Sequence, residues 1–254
     1  MIKMKKVLST IACSAIIATT ASADFARIEM GGGTFISTPT GSLTYTDGTS
    51  SGSYTSLEKV QSNIYAWMLV KHPIPVIPNL RLEYSTLSDE GKAQGNFKDI
   101  SVPIPLDTAS TLEFTQVDVI PYYNILDNTA WITLDLGLDI KVIESEYKVD
   151  ATGAFTGYNE NIRVVMPLAY VRTRVQIPIT EIGLEADVKY ITYGGDTVYD
   201  VRVKVDYTLG FIPIIQPGLE LGYRMQKYDI SSNDEKTKLK LDFSGVYAGL
   251  MLRF

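Results

Sequence analysis

A run of alternating side chains at residues 130–142, AWITLDLGLDIKV, constrains the fold of this chain more than any other feature. Every second residue from 132 to 142 is apolar, whereas Asp135, Asp139 and Lys141 lie between them. A side-chain period of two is the period of a β-strand with one apolar and one polar face. The alternating run covers eleven residues, and a tilted strand needs about 9–11 residues to cross a bilayer. The pattern therefore predicts a membrane-spanning β-strand.

The start of the chain has the three-part pattern of a secretory signal peptide. Three lysines within the first six residues precede a mostly apolar segment at residues 7–18, and the small-x-small sequence Ala-Ser-Ala follows at residues 21–23. The apolar segment is too short for a spanning helix, which disfavours a membrane anchor or a buried first helix. We predict a signal peptide at residues 1–23 and one mature domain at residues 24–254.

The composition of the mature chain disfavours several classes of function. Cys13 is the only cysteine and lies in the predicted signal peptide, so no disulfide, thiol nucleophile or cysteine-ligated metal is expected. The chain has 23 Lys and Arg residues against 29 Asp and Glu residues, and removal of the three signal lysines leaves 20 against 29, a net charge of −9. An acidic chain repels phosphate backbones, so we expect no nucleic-acid partner.

The alternating pattern recurs along the mature chain. Beyond the signal no apolar run approaches the 18 residues of a transmembrane helix, so a membrane-spanning form would be a closed barrel, which satisfies every backbone hydrogen bond in lipid. Ten candidate strands are connected alternately by short or proline-bearing turns and by longer polar stretches, as expected for short periplasmic turns and long extracellular loops. The predicted fold class is all-β, a transmembrane antiparallel up-and-down β-barrel of about ten strands, with a range of eight to twelve.

Three finer features follow from the same pattern. The apolar parity of the strand at residues 111–123 changes between Phe114 and Val117, which predicts a β-bulge. Tyr199 and Phe211 lie on one face of a strand and are separated by ~28 Å across the membrane, which matches the ~25 Å apolar band between aromatic girdles. Four polar stretches are interpreted as loops, at residues 37–56, 88–110, 144–161 and 229–238.

One strand leaves a soluble alternative open. In the strand at residues 59–71, Tyr65, Trp67 and Leu69 make the second face nearly as apolar as the first. Such two-sided apolarity also suits a buried strand in a soluble protein. A soluble periplasmic sandwich or lipocalin-like binder is therefore the alternative fold.

The end of the chain has the form of an assembly signal. The last strand alternates and ends on a phenylalanine, with one apolar face formed by Val246, Ala248, Leu250, Leu252 and Phe254. This strand resembles the recognition signal by which outer-membrane barrels are delivered to their assembly machinery. With the segments HPIPVIPNLRLEY at residues 72–84, LDLGLDIK at 134–141, PLAYVR at 167–172 and GVYAGLMLRF at 245–254, the mature chain resembles a family of Gram-negative outer-membrane β-barrel proteins without an assigned biochemical activity. The resemblance implies a location in the cell outer membrane and carries no catalytic residues.

The sequence offers little chemistry for catalysis. Barrel hydrolases use a histidine base, because its pKa near 6.5 suits proton transfer at neutral pH, and His72 is the only histidine. His72 precedes a proline in a predicted periplasmic turn, so we expect that the protein is not an enzyme. An outer-membrane hydrolase acting on lipid or peptide is the alternative function. No cofactor and no metal site are expected, since the acidic pairs at residues 89–90 and 234–235 are better explained as solvated loop charge than as Ca²⁺ ligands.

The polar strand faces carry the main functional expectation. Charges of both signs in a narrow barrel predict paired side chains that fill the interior, because unpaired buried charge is costly. We therefore expect a monomeric barrel of structural or surface-interaction type in contact with outer-membrane lipid, and a narrow solute path stays open as an addition. The charged residues expected to face the lumen are Asp135, Asp139, Lys141, Arg172, Arg174, Glu185, Asp187, Lys189, Arg202, Lys204, Asp206, Glu220 and Arg224.

Overall fold

A computed structural model describes residues 26–74, 76–97, 100, 102–209, 215–231 and 236–254. The predicted signal peptide at residues 1–23 lies outside the described residues. No helix in the described part of the chain is long and apolar enough to cross a membrane.

The described residues form eleven strands that close into a ring. Each strand pairs with its neighbours in antiparallel fashion, and the last strand pairs with the first from Glu29 opposite Arg253 to Tyr45 opposite Thr237. The strands are β1 (Arg27–Asp47), β2 (Ser50–Ser56), β3 (Gln61–Lys71), β4 (Asn79–Gly95), β5 (Ile104–Thr129), β6 (Ile132–Val149), β7 (Tyr158–Gln176), β8 (Ile182–Tyr193), β9 (Asp196–Thr208), β10 (Gln216–Ser231) and β11 (Thr237–Arg253).

β2 and β3 are two parts of one wall strand. Both pair with β1 on one side and with β4 on the other, and they are separated only by residues 57–60. The ring therefore has ten strand positions, and the predicted all-β up-and-down barrel is confirmed.

The strands present apolar side chains outward and charged side chains inward. On β6, Leu136 and Leu138 are 42% and 47% exposed, whereas Asp135, Asp139 and Lys141 are 0% exposed. The same alternation runs along β8 and β9, whose outward valines and leucines form a continuous belt. A soluble lipocalin-like binder would have its apolar side chains inside, so the arrangement is the reverse of that alternative.

Tyrosines mark the edges of this outer belt. Tyr190 and Tyr199 lie opposite each other on β8 and β9 at one edge, and Tyr207 is exposed near the other end of β9. Aromatic rings at both edges are typical of the girdles of transmembrane barrels. Of the predicted girdle pair, Tyr199 faces outward at an edge and Phe211 lies outside the described residues.

The polar stretches predicted as long loops fold mainly as strand extensions, so that prediction was wrong. Residues 37–56 form a hairpin of β1 and β2 that turns at Gly48 and Thr49. β4 to β7 and β10 likewise extend into the other three polar stretches. Serine, threonine and tyrosine fit a pleated ladder that has water on one side, so the hydrogen-bonded wall continues beyond the apolar belt. We call this end of the barrel the distal end, and the end that holds Ala26 and Phe254 the terminal end.

The bulge predicted between Phe114 and Val117 is also absent from the structure. β5 keeps one register with β4 from Asn79 opposite Tyr122 to Ala93 opposite Thr108. Phe114 is buried inside the barrel and Val117 is exposed outside. The apolar parity changes because the interior itself becomes apolar towards the distal end.

An aromatic plug fills the distal half of the interior. Phe114 stacks on Tyr228 with ring centroids 5.8 Å apart and meets Phe243 edge-on at the same distance. Further out, Tyr147 contacts Tyr54 and Phe97 at 5.7 and 5.8 Å. All of these rings are at least nine-tenths buried, so the distal half has a dry core like that of a soluble protein.

Large rings also pack against glycines of neighbouring strands. The Trp67 indole covers Gly31, where an added Cβ would lie 2.7–2.9 Å from the ring, and Tyr247 covers Gly222 at 2.6 Å. Neither glycine has a positive φ, so it is the lack of a side chain that the close approach requires. These contacts let bulky interior side chains fit within a ten-strand wall.

Asp89 is a buried carboxylate within the distal half. It accepts a 2.8 Å hydrogen bond from Ser56 Oγ, its Oδ2 has no partner among the described residues, and none of the ion pairs found there includes it. Its strand neighbours Ser88 and Glu90 are polar and face outward, which places Asp89 beyond the apolar belt. Burial raises the pKa of the Asp89 carboxyl above its usual range.

This raised pKa predicts a pH dependence of stability. Because the folded state holds the proton more tightly than the unfolded chain, Asp89 makes the free energy of unfolding fall as pH rises from about 4. We expect Asp89→Asn to reduce that fall, as measured by urea unfolding of the detergent-solubilised barrel between pH 4 and 7. Glu90→Gln, which removes an exposed carboxylate next to Asp89, should leave the fall in place, and equal pH profiles for Asp89→Asn and wild type would contradict the assignment.

Candidate functional site: the charged interior

All thirteen charged residues expected to face the lumen are buried, with 9% exposure at most. The period of two places them on the inner faces of β6 to β10. The same interior also holds charged residues that the sequence analysis did not include among the lumen-facing set: Glu29, Arg81, Glu83, Asp118, Asp200 and Arg253. The sequence indicates the inward position of two of these residues, because Arg81 and Glu83 alternate with Leu80, Leu82 and Tyr84.

Glu83 connects three strands of the barrel, β4, β8 and β9. Its carboxylate on β4 accepts hydrogen bonds from Arg81 Nε at 2.6 Å, from Lys189 Nζ on β8 at 2.5 Å and from Arg202 on β9. Arg202 also forms a bidentate pair with Asp187, with contacts of 2.9–3.1 Å. These pairs span the lumen, since β4 and β9 lie on different sides of the ring.

Glu185 is a second centre, nearer the terminal end. It binds Arg172 at 2.6 Å, Arg81 at 3.4 Å and Lys204 at 3.4 Å. Arg172 in turn binds Asp135 at 2.6 Å. Four strands that are adjacent in the wall, β6 to β9, and β4 from across the lumen therefore share these charges.

Aromatic residues on the inner face of β3 complete this layer. Tyr65 OH and Trp67 Nε1 donate to Glu220 Oε1 at 2.7 and 3.0 Å. Lys204 Nζ binds the other oxygen of Glu220 at 3.1 Å and lies 4.5 Å from the Trp67 ring centroid. The second apolar face of this strand, which had left a soluble fold open, thus lines the lumen and binds its charges.

A third group of pairs lies next to the aromatic plug. Asp118 accepts from Lys141 at 2.6 and 2.7 Å and from Lys189 at 2.5 Å. Arg224 forms a bidentate pair with Asp200 at 2.6 and 3.0 Å. Gln226 links Asp200 to Gln116, which donates to Tyr228 of the plug. The charged network and the plug are therefore one continuous packed interior.

The interior charge is nearly balanced. Among the described residues, nine buried Lys and Arg side chains face ten buried carboxylates in these layers. Asp139 is the exception to the pairing, because neither of its oxygens has a hydrogen-bond partner in the described part of the chain. A balanced interior creates no strong field of one sign, so it is poorly suited to selecting ions.

Several lumen-facing side chains of the network have no contact with solvent. Lys141, Lys189, Asp135 and Asp139 have 0% exposure although they face the lumen. Long side chains from opposite walls meet there and occupy the space between the strands. At the level of the apolar belt, these four side chains are therefore packed among other protein atoms.

His72 lies outside this site, in the turn between β3 and β4. Its Nε2 is 3.0 Å from the Pro78 carbonyl, its Nδ1 accepts from Ile74 N at 3.2 Å, and its backbone N–H donates to Asn79 Oδ1 at 2.9 Å. Both ring nitrogens therefore hold the turn together, and no hydroxyl or carboxylate nucleophile contacts the ring in the described structure.

The remaining sequence expectations concern metals and the last strand. In the part of the chain that the structure describes, no group of three or more potential ligands could hold a metal ion. Residues 234–235 lie outside it, and Asp89 binds Ser56. On β11, the face expected to act as the assembly signal is directed outward, with exposed side chains at Val246, Ala248, Leu250, Leu252 and Phe254.

The Glu83 centre predicts a large effect on stability. Glu83→Gln removes the carboxylate shared by Arg81, Lys189 and Arg202, and uncompensated buried charge costs about 3–5 kcal/mol. We expect a loss of that size in the free energy of unfolding, measured by denaturant titration in detergent.

Two further variants test the cause of this loss. Glu90→Gln on the same strand breaks an exposed pair with Lys59 and should cost no more than about 1 kcal/mol. Adding Lys189→Met to Glu83→Gln should recover part of the loss, because one unpaired cation is removed. Equal effects of the Glu83 and Glu90 changes would contradict a buried network.

Comparison with known proteins supports the fold. No known family model matches the sequence, and no curated protein matches it either. The outer membrane protease OmpT from Escherichia coli superposes with a TM-score of 0.51 at 12% identity, over 94% of this chain and 99% of that one. The translocator domain of the autotransporter NalP from Neisseria meningitidis gives 0.46 at 10% identity, over 98% and 94%. Neisserial surface protein A gives 0.29 at 13% identity, over 90% and 97%. With its apolar outer belt and its paired interior charges, the chain has the fold of an outer-membrane β-barrel protein.

Proposed function

We propose that this protein is a closed, non-conducting outer-membrane barrel of structural or surface-interaction type. The observation that carries the proposal is the packed interior, in which lumen-facing Lys141 and Lys189 are inaccessible to water. A ten-strand barrel has an interior only slightly wider than the eight-strand barrels that side chains fill completely. The aromatic plug adds a second barrier distal to the charged layer.

In this proposal, the charged layer holds strands on different sides of the barrel together. Each centre joins strands that are far apart in the sequence, as Glu83 joins Lys189 and Arg202. Removing one partner of such a network leaves buried charge behind, so the charges favour one closed arrangement of the ring. A narrow solute path is not part of the proposal, because a path would require several of these pairs to separate.

The role proposed here is non-enzymatic. The position of His72 supports it, since its ring nitrogens are engaged with the backbone of a turn at the terminal end. We further propose that the protein is a monomer surrounded by outer-membrane lipid, and that the outward face of β11 is read by the barrel assembly machinery. The closed β1–β11 pairing supports a monomer, because the ring leaves no open sheet edge for another copy.

Planar-bilayer recording tests the closed lumen. We expect purified wild-type protein to show no steady current steps of porin size, because the paired charges and the plug block the path. A variant in which Arg81, Lys189 and Arg202 are all changed to serine and Phe114 and Phe243 to alanine should conduct, provided that it still folds.

Insertion of the wild-type protein is verified by protease protection in the same liposomes, and a porin serves as the conducting control. Steady porin-size conductance of inserted wild-type protein would overturn the proposal.

A further inference from the structure

A small polar cavity opens at the terminal end of the barrel, below the charged network. It has a volume of about 100 Å³ and is lined by Arg27, Lys71, Asp127, Trp131, Thr133 and Arg174, among others. Lys71 pairs with Asp127 across it, and Arg27 is partly exposed. The cavity therefore has solvent-accessible cations on the side opposite the long strand extensions, which is the periplasmic side of an outer-membrane barrel.

The turn that supplies Trp131 is strained. Ala130 and Trp131 connect β5 to β6 in a two-residue turn, with φ values of 52° and 66°. A two-residue hairpin turn with two positive φ angles strongly prefers Asn-Gly or Gly-Gly, because other residues meet steric repulsion there.

The chain contains an internal comparison for this turn. The turn between β8 and β9 at the distal end has Gly194 and Gly195 in the corresponding positions, with φ values of 63° and 98°. The sequence thus uses the expected glycines at one end and a strained Ala-Trp pair at the other. Backbone strain that persists in a folded protein is an indication of a functional side chain.

Trp131 lines the cavity with part of its side chain. It lines the cavity together with Thr133 and Arg174, whose side chains lie on the inner face of the wall. Its side chain is 56% exposed.

The cations around the cavity share their carboxylate partners. Arg174 and Arg253 share Asp206, with closest contacts of 2.5 and 2.8 Å, and Arg27 and Arg253 both bind Glu29. Arg174 also lies 3.6 Å from Glu185, and Lys71 pairs with Asp127. Arg27 is partly exposed and shares its buried carboxylate with a second arginine, so it can bind an added anion.

The cavity ends inside the barrel. Immediately above it, Asp135, Arg172 and Glu185 are buried and paired. A ligand that enters from the periplasmic side therefore binds at a closed floor and does not pass through.

We propose that this cavity binds the terminal carboxylate of a periplasmic peptide, with the peptide lying against Trp131. Arg27 and Lys71 bind the carboxylate by charge-assisted hydrogen bonds, and the exposed indole provides an apolar surface for the residues before it. This site goes beyond the proposed structural role, because it gives the terminal end of the barrel a specific partner chemistry.

Isothermal titration of the folded barrel in detergent tests the ligand class. The probes are N-acetyl-trialanine with a free carboxylate, the same peptide as its C-terminal amide, and inorganic phosphate. We expect the free acid to bind at least ~10-fold more tightly than the amide, since the charge-assisted hydrogen bonds are lost in the amide, and more tightly than phosphate. No binding of the free acid up to about 10 mM, or equal binding of the three probes, would overturn the proposal.

Three variants test the site. Ala130→Asn combined with Trp131→Gly supplies the preferred turn residues, so this variant should fold, unfold at a higher denaturant concentration than wild type and lose binding of the free acid. Lys71→Gln should weaken binding ~10-fold. Lys92→Gln removes an exposed pair with Asp107 at the distal end and should leave binding unchanged.

The variants also define the contradicting results. Undiminished binding in the Asn-Gly variant would exclude Trp131 from the site, and a lower unfolding midpoint in that variant would refute the strain argument. These measurements do not depend on whether the lumen conducts, so they can fail or succeed independently of the closed-barrel proposal.

Discussion

The structure depends on pairing charges inside a ring too narrow to hydrate them. A strand whose outer face meets lipid must direct its polar residues inward, and ten such strands bring nine buried cations and ten buried carboxylates together. Desolvation of each charge costs several kcal/mol unless a partner of opposite sign binds it. Glu83 and Glu185 each provide such a partner for several cations at once, since each carboxylate binds cations from three strands.

The sequence predicted the two faces of the wall but not the partners within it. The period of two separates Asp135 from Leu136 on β6 and Arg202 from Val203 on β9, and this separation needs only local geometry. The pairing of Glu83 with Lys189 joins residues 106 positions apart. It follows from the strand tilt and the register around the whole ring, which no local pattern contains.

The polarity of a segment proved a poor guide to where the strands end. Residues 37–56 contain few aliphatic side chains and were interpreted as a loop, yet they form a hairpin, because hydrogen bonding between strands does not require lipid on the outer face. The parity change at Phe114 has a related cause. The apolar face of a membrane strand changes sides where the outer face meets water and the inner face meets the aromatic plug. One continuous strand then has its apolar residues outside in one half and inside in the other.

The two ends of the barrel show how stability and interaction are divided. At the distal end, the turn between β8 and β9 has two glycines with positive φ angles, and the interior is filled by packed aromatic rings. At the terminal end, a tryptophan occupies a backbone conformation that costs about 1–2 kcal/mol for a residue with a Cβ, next to the partly exposed Arg27 and Lys71. Stability alone would favour glycine at position 131. This departure occurs beside the cavity at the terminal end, and the proposed ligand site explains it better than folding does.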